Sequence, residues 1–96
     1  MGNVDVDIYL NQFISFFDKN PEELKMLIGD VDKDEFYLKI TEQCYTNVEK
    51  GEDPSLTRPQ ILEIIVELRK SEITIIEETK IYEIYQKTKF GNICLN

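Results

Sequence analysis

The sequence predicts an all-α fold: a compact array of four to five short helices with an extended C-terminal tail. Three observations lead there. Apolar residues recur at three- and four-residue spacing along most of the chain. A capping residue precedes nearly every such stretch, and glycine ends several of them. The chain has 96 residues, so these stretches are expected to share one core in a single domain, residues 1–96.

The first helix is expected to open near Asp5 or Asp7, whose carboxylates can accept from unpaired N–H groups of a first turn. Leu10, Phe13, Ile14 and Phe17 then share one face, widened by Tyr9 and Phe16. Asp18-Lys19-Asn20 ends it. Asn20-Pro21-Glu22-Glu23 starts the second helix, with Asn20 as cap, Pro21 at the first helical position and two acids facing the helix dipole. Leu24, Leu27 and Ile28 form its buried edge, and Gly29 stops it.

Asp32 and Glu35 are spaced as a capping box for the third helix. Phe36, Ile40, Cys44 and Val48 make its apolar stripe, flanked by Tyr37 and Tyr45, and Gly51 is the stop. Glu52-Asp53-Pro54-Ser55 reads as a loop. The fourth helix has the clearest start: Thr57 and Gln60 for a capping box, Leu56 and Ile61 for a hydrophobic staple. Ile61, Ile64, Ile65 and Leu68 form its core face, with Leu62 and Val66 alongside.

Beyond Ser71 two patterns compete. Ile73, Ile75, Ile76, Ile81, Tyr82, Ile84 and Tyr85 are β-formers by propensity, which allows a C-terminal hairpin. Thr74 and Glu77, however, make another capping box, and Ile81, Ile84, Tyr85 and Thr88 keep helical spacing. A fifth helix is the preferred reading. Phe90-Gly91-Asn92 breaks it, and Ile93-Cys94-Leu95-Asn96 forms the tail. The expected core is Leu10, Phe13, Ile14, Phe17, Leu24, Leu27, Ile28, Phe36, Ile40, Cys44, Ile61, Ile64, Ile65 and Leu68.

The formal net charge is −8. A chain this acidic repels phosphate backbones, so no nucleic-acid partner is expected. The charge is uneven: residues 1–50 carry −6 and residues 51–96 carry −2. Apolar runs such as Ile64-Ile65-Val66 fall far short of the ~20 residues that a membrane span needs, so no membrane partner is expected either. Two cysteines, Cys44 and Cys94, do not make a disulfide framework and are read as free thiols of a cytoplasmic protein.

Histidine is absent, which removes the commonest general base and metal ligand. Asp30, Asp32 and Asp34 alternate as at the start of a calcium loop. The sixth position, which needs Gly, is Glu35, and the twelfth, which needs Glu, is Thr41. No metal site follows. Cys44 reads as a core thiol, because an apolar stripe suits it. Cys94 has no histidine beside it to activate it. No phosphate-binding glycine loop or nucleophile motif occurs, so no cofactor and no catalytic residue are assigned.

The leading expectation is a non-enzymatic interaction or adaptor protein whose partner is another protein or a second copy of itself. The apolar residues exceed what so small a core can hold, which marks Leu62, Val66, Ile73, Ile75, Ile81, Tyr82, Ile84 and Tyr85 as a surface, suited to a homodimer. The alternative is an acidic regulator that meets a basic protein through Asp18, Glu22, Glu23, Asp30, Asp32, Asp34 and Glu35. A third, remoter reading is an enzyme working with carboxylates and tyrosines.

Overall fold

Caps and stops divide the described residues, 2–90 of a computed structural model, into five helices: α1 Gly2–Lys19, α2 Pro21–Ile28, α3 Lys33–Glu49, α4 Arg58–Arg69 and α5 Ile75–Phe90. The all-α reading therefore holds. The hairpin alternative does not: α5 is helical throughout. Two devices outweigh the β-propensity of its isoleucines. Thr74 accepts from the Glu77 N–H at 3.1 Å while Glu77 accepts from the Thr74 N–H at 3.1 Å, completing the capping box. Ile81, Ile84, Tyr85 and Thr88 are then buried along one stripe, and tertiary packing overrides propensity. The expected tail, Ile93 to Asn96, lies outside the described residues.

Helix α1 starts earlier than Asp5, at Gly2. Its extra turn puts Val6 fully in the core. It packs against α2, α3 and α5, while α3 also meets α4, and α5 also meets α2 and α4. Three phenylalanines sit where α1 meets α3. The Phe13 and Phe17 rings lie 5.2 Å apart edge to face, and Phe36 is 5.9 Å from Phe13 and 6.4 Å from Phe17. All three are buried. Such offset and edge contacts suit the ring quadrupoles.

The core differs from expectation in a consistent way. Phe13, Phe17, Leu27, Ile28, Phe36, Ile40, Cys44, Ile61, Ile64 and Ile65 are buried as expected. Leu10, Ile14, Leu24 and Leu68 are only half-buried. Their places are taken by Val6, Leu56, Ile81, Ile84 and Tyr85. Once α5 is a helix lying on α1, it supplies three core residues and displaces the margins of the other stripes.

The connections rest on particular residues. The Asn20 side chain does not cap α2; its amide donates to the Phe16 carbonyl at 2.8 Å and closes the end of α1 instead. Asp32 occupies the cap position of α3 with no side-chain cap bond, so the expected box with Glu35 does not form. Helix α3 ends in a Schellman turn. The Glu52 N–H reaches the Asn47 carbonyl at 2.8 Å, the Gly51 N–H reaches the Val48 carbonyl at 2.9 Å, and Gly51 has φ +80°. Helix α4 ends on Lys70, a left-handed residue with φ 55° that is not glycine.

The α4 capping box is complete, and it extends into the interior. Asn47, 1% exposed, exchanges two hydrogen bonds with the Gln60 amide, both 3.0 Å, and accepts a third from Gln43 at 3.0 Å. Gln60 also accepts from the Thr57 N–H at 3.0 Å. One buried amide thus ties the start of α4 to the last turns of α3.

Candidate functional site

The apolar surface expected in the last third divides in two. Ile81, Ile84 and Tyr85 are inside the monomer, so they are withdrawn as surface residues. Leu62, Val66, Ile73 and Tyr82 are half-buried, and all but Val66 pack against the core. Ile75 is 83% exposed, and its neighbour Ile76, not among the expected surface residues, is 82% exposed. The phase of α5 explains both. At 100° per residue, a face carrying 81, 84, 85 and 88 also carries 77 and 78 one turn earlier. Positions 75 and 76 fall on its other sides. The first turn is therefore inverted, with Glu77 and Glu78 half-buried and the two isoleucines in solvent.

The Glu77 carboxylate, partly open to solvent, is fully engaged. Besides the cap bond it accepts from the Arg69 guanidinium at 3.0 Å. The Thr74 N–H and the Arg69 guanidinium hold its carboxyl below the usual range. Arg69 thereby joins the exposed turn of α5 to the end of α4. It also lines a shallow hollow at the α2–α3 turn together with Ile28, Gly29, Asp30, Val31 and Ser71.

Beside that hollow lies a larger cleft of about 550 Å³. Asp30, Val31, Asp32 and Glu35 line one side, and Lys39, Glu67, Leu68 and Lys70 complete it. Val31 and Leu68 are its half-buried apolar residues and pack against the core. Lys39 is bonded to Glu67 at 3.1 Å.

The expected acidic patch is not one face. Asp30, Asp32 and Glu35 share the cleft. Asp18 and Asp34 lie near Tyr37, whose phenol is pushed up by burial first and then by those two carboxylates. Glu23 is bonded to Lys87 of α5 at 3.1 Å. Glu22 is exposed on α2. Among the described residues no three His, Cys, Asp or Glu side chains gather in a way that could hold a metal ion. No described helix is long and apolar enough to cross a membrane.

Two tyrosines join separate parts of the chain. Tyr9 of α1 and Tyr85 of α5 meet hydroxyl to hydroxyl at 2.7 Å. Tyr85 donates its one phenolic proton to the Leu56 carbonyl. Tyr9 must therefore be the donor between the two phenols, and it accepts in turn from the Leu56 N–H at 3.4 Å. The three groups form a closed ring joining α1, α5 and the segment before α4. Burial pushes the Tyr85 phenol up to about 12, and burial with the neighbouring Tyr85 pushes Tyr9 higher still. Neither is a proton acceptor at neutral pH. Cys44 is buried and its thiol is pushed up to about 11 by burial, which leaves it protonated and unreactive. Cys94 lies outside the described residues.

These features define a small five-helix array with one inverted apolar turn and an adjoining mixed-charge cleft. No protein-family model, curated protein or solved structure matches the chain.

Proposed function

We propose that this protein is a non-enzymatic interaction module that docks another protein through the first turn of α5. One observation carries the reading: Ile75 and Ile76 face solvent at 83% and 82% exposure while the adjacent Glu77 and Glu78 are the less exposed residues of the turn. Burying such a side chain is worth about 1.5–3 kcal/mol, and here that gain is left unrealised in the monomer. Nothing about helix formation asks for isoleucine there, because β-branched residues are slightly unfavourable in helices. A partner surface supplies the missing cover.

The Tyr9–Tyr85 pair gives no support to the enzymatic reading. Each phenol of the Tyr9–Tyr85 pair is committed to holding backbone and keeps its proton. Self-association is the less favoured form of docking. Stable interfaces bury about 800 Å² per partner, far more than two side chains cover, and two copies at −8 repel. A weaker contact with a different partner fits better.

The test is site-specific photocrosslinking in cells that express the chain. Benzoylphenylalanine in place of Ile76 is expected to give discrete protein adducts. The same group in place of Leu38, exposed on α3, serves as the control. Adducts from position 38 alone, or from neither position, would remove the proposal.

A further inference from the structure

Resting on that reading, we infer that the partner presents a basic amphipathic segment, and that the cleft between the α2–α3 turn and the end of α4 receives its cationic face. The cleft is built for a mixed ligand. Val31 and Leu68 give it an apolar part continuous with the core. Asp30, Asp32, Glu35 and Glu67 place four carboxylates around them, against the ammonium groups of Lys39 and Lys70. Lys39 is taken up by Glu67. Asp30, Asp32 and Glu35 are exposed and belong to no ion pair among the described residues. An incoming lysine or arginine would meet unpaired carboxylates, and an apolar neighbour on the same segment would meet Val31 and Leu68.

Position joins the cleft to the exposed turn. Asp30 and Val31 also line the smaller hollow that contains Arg69. Arg69 is bonded to Glu77, the residue after Ile76. The cleft, the hollow and the first turn of α5 are thus neighbours, linked through Asp30, Val31, Arg69 and Glu77. A segment with apolar residues on one face and basic residues on the other matches that sequence of surfaces, and an acidic one is repelled from it.

The probes are two fluorescein-labelled helical peptides, one of leucine and lysine and one of leucine and glutamate in the same pattern. Binding to the full chain is read by fluorescence anisotropy at low salt, and its location by amide chemical shifts. The leucine–lysine peptide is expected to bind and to shift the amides of Val31 and Leu68. The double variant Asp32→Asn, Glu35→Gln is expected to weaken it about fivefold, since exposed charge pairs are individually weak. Glu42→Gln with Glu49→Gln removes the same charge from exposed positions on α3 outside the cleft and is expected to change affinity less than twofold. Equal weakening by both double variants, or equal binding of the two peptides, overturns the inference. Either result leaves the crosslinking outcome at position 76 untouched, so the partner's chemistry and the existence of a docking turn fail separately.

Discussion

Tyr85 shows how much one hydroxyl can hold. Its proton goes to the Leu56 carbonyl, and its oxygen accepts from Tyr9. Replacing Tyr85 with Phe leaves that carbonyl without its donor and the Tyr9 hydroxyl without its acceptor. Buried groups left unpaired cost about 1–3 kcal/mol, so Tyr85→Phe is expected to lower the urea midpoint by that much stability at an unchanged slope. The same ring fixes a pH limit. A phenol whose pKa rises from 10.0 to about 12 on folding holds its proton more tightly in the folded state. Its stabilising effect is complete below pH 10 and is lost as pH rises through 12. Stability followed by circular dichroism is therefore expected to fall from about pH 10 upward, and absorbance at 295 nm to show late-titrating tyrosines. Lys70 gives the opposite sign. It holds φ 55°, a conformation that costs roughly 1 kcal/mol for a residue with a Cβ. Lys70→Gly is expected to raise the thermal midpoint, by the equivalent of about 0.5–1 kcal/mol.

At the scale of elements, α5 is decided by its cap and its contacts. Removing the cap hydroxyl with Thr74→Ala is expected to cost about 1 kcal/mol. Hydrogen exchange should quicken in the first turn of α5 and leave α3 unchanged. The helices were legible in the sequence because caps, stops and apolar spacing agree over α1 to α4. The Thr57–Gln60 and Thr74–Glu77 boxes form as their spacing implies. The Asp32–Glu35 box does not, because spacing sets what a side chain can reach and not which bond it chooses. The core was legible only in part. Leu68 and Ile84 carry equally good helical patterns, and only the lie of α5 on α1 decides that Ile84 is the buried one. The surface was least legible. Ile75, Ile81 and Ile84 look alike as surplus apolar residues, yet they face opposite ways. The phase set by Ile81, Ile84, Tyr85 and Thr88 was present in the sequence and separates them. Ile76 follows from the same phase.

At the scale of the whole molecule, the chain has a well-satisfied interior and an unsatisfied exterior. Among the described residues no buried side-chain nitrogen or oxygen lacks a partner. The radius of gyration, 13.0 Å, is what a chain of this length reaches when closely packed. Internal packing therefore gives no reason for the exposure of Ile75 and Ile76 or for the carboxylates outside any ion pair at the neighbouring cleft. The central claim is that these isoleucines serve a partner and not the fold, and Ile75→Glu with Ile76→Glu tests it most directly. Acids in a first turn favour the helix dipole, so the variant is expected to melt no lower than the parent. Used as bait in native extract beside the parent and an Ile8→Glu control, it is expected to lose proteins that both of the others retain. A variant that melts well below the parent, or that captures the same proteins, would contradict the account.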